Sequence, residues 1–123
     1  MPDTYTRLLT INVEVGLLLI TYAQPLIINN SITVKVGSPR LRTYLKGICC
    51  VTCGLKATHF AIETDNPKAN TGYHLNLYAS TADGEIMMTS DHTIPKAKGG
   101  SGSVKNRQPM CRPCNLRKGD KLE

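Results

Sequence analysis

The sequence predicts an α+β fold, in which a β-rich N-terminal segment precedes a small zinc-stabilised core. Three observations carry this prediction. Apolar and polar residues alternate through much of residues 5–37, as half-buried strands require. Residues 74–119 then read as a strand, a turn, a second strand and a short helix. Finally, two Cys-x-x-Cys pairs lie about sixty residues apart, the ligand pattern of a structural zinc site.

The N-terminal segment, residues 1–46, is predicted to consist of strands. Residues 10–15 and 32–36 alternate, and the apolar run at 15–22 is interpreted as a buried strand. Pro25 and the Asn-Asn-Ser sequence at 29–31 supply turns between these strands. The segment has no recognisable catalytic pattern, and its strands offer a surface through which a homodimer can form.

The second predicted unit covers residues 47–123. Turn-forming residues fill 65–72, a strand occupies 74–79, and Ala82-Asp83-Gly84 makes a hairpin turn into the strand at 86–89. The glycine- and serine-rich residues 98–103 predict a flexible loop. A short helix is expected to begin at Arg112 or Pro113 and to end at Gly119, because proline suits a first helical turn and glycine a helix end.

The charge balance makes nucleic acid the first partner to consider. The 123 residues include 15 Lys and Arg against 9 Asp and Glu, a net charge of +6, and the basic excess lies mainly after residue 96. Clustered cations bind polyanions through counterion release. A solvated basic surface that binds nothing is the alternative interpretation of the same pattern.

Cysteine usage and hydropathy predict the compartment. Five cysteines in two doublets and a single residue suit thiolate ligation in a reducing compartment, so a cytoplasmic location is expected. The first residues lack the basic start of an export signal. The apolar run at 15–22 is much shorter than the roughly 20 residues that span a bilayer, so no membrane association is expected.

The two cysteine pairs predict one four-cysteine zinc site. Cys50 and Cys53 with Gly54 have the form of a zinc knuckle, and Cys111 and Cys114 supply the other ligands. A redox pair and unligated buried thiols are the alternatives. Cys49 can replace Cys50 through a wider spacing, although the two-residue spacing favours Cys50.

A second site is predicted at the dipeptide Asp91-His92. Histidine can activate water near neutral pH, and aspartate offers a hard oxygen ligand to a divalent ion. Neighbouring strand residues point to opposite faces, so both side chains line one cleft only if the strand ends there. The turn formers between Thr93 and Pro95 predict that end.

The pattern Asp91-His92-Thr-Ile-Pro-x-x-x-Gly-Gly, then Asn106, then Cys111-x-x-Cys114-Asn115-x-x-Lys118, resembles the HNH nucleases with a ββα-metal core. The resemblance covers about residues 47–122. It implies that His92 is the general base, that Asn106 bonds to and orients His92, and that Asp91 and Asn115 hold the catalytic ion. It also implies that the four cysteines hold structural zinc.

Many members of that family have histidine where this chain has Asn115. A carbonyl oxygen in place of an imidazole nitrogen favours Mg²⁺ or Mn²⁺ as the catalytic ion. Contacts with backbone phosphates are expected from four basic residues near the site, namely Lys96, Lys98, Arg117 and Lys118.

The resemblance implies a metal-dependent DNA endonuclease or nickase. The alternatives are a zinc-binding nucleic-acid module without turnover and a zinc-stabilised protein whose basic face meets an acidic partner. By analogy, the small size suits a bacteriophage or mobile-element nuclease that works in the host cytoplasm.

Overall fold

A computed structural model describes residues 5–66 and 72–121, and over those residues the α+β class is confirmed. Strands dominate the described chain, which contains three α-helices and several short 3-10 turns. The elements in chain order are β1 (Thr6–Asn12), α1 (Val13–Thr21), β2 (Leu26–Ile28), β3 (Ile32–Val34), α2 (Pro39–Arg42), β4 (His59–Thr64), β5 (His74–Thr81), β6 (Gly84–His92), β7 (Arg107–Cys111) and α3 (Arg112–Lys118).

Five of the described strands form one antiparallel sheet in the order β1-β4-β5-β6-β7. Strand β1 lies at its edge, so the sheet includes residues on both sides of the predicted domain boundary at 46 and 47. Strands β2 and β3 form a separate hairpin. The division into two units stays a prediction, as does the homodimer expected from the N-terminal strands.

The predicted buried strand at residues 15–22 is wrong, because most of this run belongs to helix α1. The helix begins where the Asn12 side-chain oxygen accepts the backbone N–H of Glu14 at 2.8 Å. It rests on the sheet at Gly16, where an added Cβ would lie 2.2 Å from the Phe60 ring. A short apolar run fits a buried strand or a packed helix equally well, and contact with the sheet decides between them.

The main core lies between α1, the β2–β3 hairpin and α2 on one side and the inner face of the sheet on the other. Register explains which residues enter it, since Phe60 pairs with Ile11 and Leu77, and paired residues share a face. The largest fully buried apolar side chains are Ile20, Val34, Val36, Leu41, Tyr44, Phe60, Ile62, Leu75, Leu77, Met88 and Met110.

The C-terminal half contains the predicted strand, turn, strand and helix, with an additional strand, β7, directly before the helix. Strands β5 and β6 pair around the turn at 82–84, and β6 pairs with β7. Helix α3 begins at Arg112 with Pro113 in its first turn, and it ends at Gly119, as predicted. Most of the turn predicted for 65–72 lies outside the described residues. No helix in the described part of the chain is long and apolar enough to cross a membrane.

Candidate metal centre and active site

Four of the five cysteines form one compact cluster. The Sγ atoms of Cys50, Cys53, Cys111 and Cys114 all lie within 4.8 Å of one another, and those of Cys53 and Cys111 are 3.7 Å apart. Tetrahedral ligands at a Zn–S distance of about 2.3 Å are separated by about 3.8 Å. The donor set and its spacing therefore fit a structural zinc ion, as the sequence predicted.

A tight turn and strand β7 bring the two cysteine pairs together. The Gly54 amide donates to the Cys50 carbonyl at 2.9 Å, and the φ of +80° at Gly54 suits a residue without a Cβ. The Val51 amide donates to the Pro109 carbonyl at 3.0 Å, which ties this knuckle to β7. Cys49 is exposed and lies outside the cluster, whereas Cys50 lies within it, in agreement with the two-residue spacing.

The electrostatics of the cluster favour a bound cation. Burial raises the pKa of Cys111 to about 12 and also raises the pKa of Cys114. Burial also acts to raise the pKa of Cys50, but backbone amides, that of Cys53 first, donate to its sulfur and bring the pKa down to about 6. Four thiolates this close repel one another, so a metal ion is needed to hold all four in the charged form.

The second candidate site is a pocket of about 260 Å³ at the end of β6. It brings Asp91, His92 and Asn115 together, although the first two are neighbours in a strand. The pocket wraps around the end of β6 at His92, so both faces of that strand contribute to it. Ser90, Lys96 and Asp120 are also among its lining residues.

Asp91 is held in place by two protein donors. Its Oδ2 accepts from Lys118 Nζ at 2.9 Å and from Gln108 Nε2 at 3.0 Å. Its Oδ1 has no hydrogen bond among the described residues, so one carboxylate oxygen remains for a ligand. Asp91 is 6 % exposed and Lys118 is 4 % exposed, which makes this a buried ion pair.

His92 has a buried ring nitrogen, Nε2, without a hydrogen-bond partner among the described residues. Burial lowers the pKa of His92, and the positive charges of Arg107 and Lys96 lower it further. A neutral imidazole is the form that accepts a proton.

Arg107 lies directly opposite His92 in the β6–β7 ladder, and it donates to Ser90 Oγ at 3.2 Å. Sequence reasoning did not single it out. No strand was predicted at residues 107–111, so no signal in the sequence indicated that Arg107 would lie opposite His92.

Asn115 is oriented by strand β6. Its Nδ2 donates to Thr89 Oγ1 at 2.9 Å, and Thr89 in turn donates to the Met110 carbonyl at 2.7 Å. The amide nitrogen is thus occupied, which leaves the amide oxygen as the atom that can serve as a ligand. Oxygen atoms from Asp91 and Asn115 form a hard donor set that fits Mg²⁺ or Mn²⁺.

Asn106 occupies a different position from the one expected. Its side chain bonds to Ile94 through both the amide and the carbonyl of that residue, at 2.9 and 3.0 Å, and to the Ser101 carbonyl at 2.7 Å. It makes no hydrogen bond to the His92 ring among the described residues. Its backbone carbonyl instead accepts the Thr93 amide at 2.8 Å. Asn106 therefore fixes the chain just after His92.

The segment predicted as a flexible loop, residues 98–103, contains Ser101, whose carbonyl accepts one of these Asn106 bonds. The Gly100 amide donates to the Pro95 carbonyl, and an added Cβ at Gly100 would lie 1.7 Å from the Ile94 carbonyl oxygen. Gly100 thus permits a close approach of two backbone segments. The segment is exposed except for the half-buried Gly100, and the amides of residues 98–100 donate to the carbonyls of Pro95 and Lys96. Its flexibility stays a prediction.

The four predicted phosphate contacts have different surroundings. Lys96 lines the pocket, and Lys98 is exposed nearby. Arg117 donates to Cys114 Sγ at 3.0 Å, so its charge lies against the cysteine cluster. Lys118 is buried, where it bonds to Asp91 and to the His92 carbonyl. Its position makes it a residue that orients the site from inside.

Residues 80–123 match the family model described as HNH endonuclease. The match covers β6, the loop between β6 and β7, β7 itself and α3. All residues that line the pocket lie within it. No curated protein and no solved structure matches the chain. The predicted resemblance is confirmed for these residues, and the match indicates nuclease-type activity on nucleic acid.

Proposed function

We propose that this protein is a divalent-metal-dependent DNA endonuclease or nickase that hydrolyses phosphodiester bonds at the pocket of Asp91, His92 and Asn115. One observation carries the proposal. The residues that the HNH resemblance assigns to the base and to both metal ligands line a single pocket. Nothing in chain order alone requires that, because Asn115 is more than twenty residues beyond His92.

Each residue has a distinct task in this proposal. His92 takes a proton from the attacking water, and its lowered pKa keeps it neutral at pH 7. Asp91 and Asn115 would hold the ion through Oδ1 of each side chain. Lys118, Gln108 and Thr89 fix those two side chains through the opposite atoms. A bound divalent ion supplies stabilisation of the charge that develops on the phosphate and on the leaving 3′-oxygen.

A plasmid-nicking assay tests the proposal with added Mg²⁺, with Mn²⁺ and with EDTA. Zinc content is measured in parallel so that loss of the structural ion is recognised. The His92→Ala variant should lose about 10²–10⁴-fold in rate, which is the usual contribution of a general base. Asp91→Asn should lose the response to the added ion.

His74→Ala is the matched control, since His74 is an exposed histidine on β5 that does not line the pocket. It should cleave at the wild-type rate. Equal cleavage by wild type and His92→Ala, or no cleavage by the zinc-loaded wild type with either ion, would contradict the proposal. The second result would favour the non-catalytic nucleic-acid module.

A further inference from the structure

We propose that a basic groove beside the active pocket binds the sugar-phosphate backbone of a nucleic-acid duplex. The inference rests on the proposed function for the identity of the polyanion, and it assigns a binding role to three particular basic residues. The groove encloses about 570 Å³ between the zinc knuckle, strand β7 and the turn before it. Its cations are Lys46, Lys105 and Arg107.

The charge of the groove has one sign. Among the described residues that line it, three are cationic and none is acidic. Lys46 and Lys105 are exposed, so the groove opens to solvent. Positive charge without a neighbouring carboxylate attracts phosphates and gives up counterions when it binds them.

The positions of these cations are set by the fold. Lys46 Nζ donates to the carbonyl oxygens of Val104 and Arg107 at 2.6 and 2.7 Å, which holds its charge at the groove. Arg107 Nε donates to the Gly102 carbonyl at 2.9 Å. Lys46 comes from the N-terminal segment, so two distant parts of the chain build this surface.

The groove continues into the active pocket. Thr93 lines the groove and directly follows His92, which lines the pocket. Arg107 lines the groove and donates to Ser90, which also lines the pocket. A backbone whose scissile phosphate lies at His92 therefore has a path past Arg107 toward Lys105 and Lys46.

The lining also indicates which part of the nucleic acid is bound. No aromatic residue is among the described residues of the groove, so it offers no surface on which bases stack. Proteins that bind single strands use such stacking platforms. Backbone contacts alone predict a duplex bound with little sequence preference and with strong salt dependence.

The test is fluorescence anisotropy of a labelled duplex of mixed sequence, with zinc-loaded protein and without added Mg²⁺ or Mn²⁺. Binding is measured over about 50–200 mM salt. Lys105→Gln should lower the slope of log K against log salt by about 0.9, the value for one lost phosphate contact in a duplex. Lys105→Arg should restore the wild-type slope because it restores the charge.

Lys35→Gln is the matched control, since Lys35 is an exposed lysine outside the groove and its loss changes the net charge equally. It should leave the slope unchanged. Hydrogen exchange provides a second measurement, in which the duplex should protect residues 46–51 and 105–109. The groove proposal is overturned if Lys105→Gln matches Lys35→Gln, or if the wild type shows no salt-dependent binding to the duplex.

The two proposals fail separately. Cleavage by the wild type together with equal slopes for Lys105→Gln and Lys35→Gln would remove the groove alone. Absence of cleavage together with a reduced slope for Lys105→Gln would remove the hydrolytic function and leave the groove supported. A preference for single strands over the duplex would contradict the backbone argument.

Discussion

Helix α3 contributes residues to two candidate metal sites with opposite designs. At its start, Cys111 and Cys114 join Cys50 and Cys53 in a cluster whose four sulfur atoms converge on one point. Farther along, Asn115 lies beside Asp91 at a pocket that opens to solvent. The first site offers four sulfur atoms to an ion, whereas the second offers two side-chain oxygens and open space beside them.

The difference lies in what holds each site together. The thiols depend on a cation, because burial and mutual repulsion oppose their ionisation. Asp91 and Asn115 are already fixed by Lys118, Gln108 and Thr89. A closed site can contribute its metal-binding energy to folding. The ligands of an open site must instead be held in position by other protein groups when the ion is absent.

The largest expected effect is at the cysteine cluster. Cys111→Ser removes one thiolate ligand, and zinc binding can be worth about 10–16 kcal/mol, as much as the whole stability of a small domain. We expect loss of zinc and of cooperative unfolding, measured by metal analysis and thermal denaturation. Cys49→Ser is the control and should leave both unchanged. A fully folded Cys111→Ser protein without zinc would remove the contrast between the two sites.

The second-largest loss of stability is expected at Lys118. Lys118→Met leaves the buried Asp91 carboxylate without its cation, which should cost about 3–5 kcal/mol of unfolding free energy. Added Mn²⁺ can replace the lost charge, so it should raise the melting temperature of this variant more than that of the wild type. Lys121→Met is the control, since Lys121 is an exposed lysine just beyond the end of helix α3, and it should behave like the wild type. An equal response to Mn²⁺ in both variants would argue against an ion at Asp91.

A smaller loss is expected at Asn106. Asn106→Ala removes three hydrogen bonds to the chain after His92, each worth about 1 kcal/mol, for a total of about 2–3 kcal/mol. Zinc should stay bound, since the cluster lies elsewhere on the fold. Denaturant unfolding and metal analysis of the same samples check both statements. Release of zinc at wild-type stability would contradict the role of Asn106 in fixing the chain after His92.

The smallest effect is expected outside both sites, at Glu85. A hydrogen bond from Arg7 lowers the pKa of Glu85, and a second bond from His59 acts in the same direction. A lowered pKa in the folded state stabilises the protein above the ordinary glutamate pKa of about 4.3, and this stabilisation is lost as the pH falls further.

Glu85→Gln should therefore flatten the decline in stability below about pH 4.3. Because Glu85 is partly exposed, the change should stay below about 1 kcal/mol. Thermal denaturation at a series of pH values gives the measurement, and zinc content should not differ between the two proteins above that range. A decline in the variant as steep as in the wild type would show that Glu85 contributes nothing.

Local sequence patterns were sufficient to predict much of the secondary structure of the C-terminal half. The hairpin turn at 82–84 and the helix between Arg112 and Gly119 follow from residue chemistry that acts over a few positions. Helix α1 could not be predicted in this way, because its apolar residues are equally compatible with a strand. The contact of Gly16 with the Phe60 ring on the sheet distinguishes the two. The hydrogen bonds that Asn106 makes to Ile94 and Ser101 were missed for the same reason, since Asn106 comes from later in the chain.

The sequence by itself supplied the candidate ligands. Cysteine spacing predicted the four sulfur atoms, because structural zinc requires such ligands, and the resemblance to the HNH nucleases added Asn115 to the Asp91-His92 pair. Only the tertiary structure decided how those residues are held. It buried Lys118 against Asp91, turned Asn106 toward Ile94 and placed Lys46 beside Arg107. These contacts join residues up to about sixty positions apart, and their formation depends on strand register and packing, which no local pattern encodes.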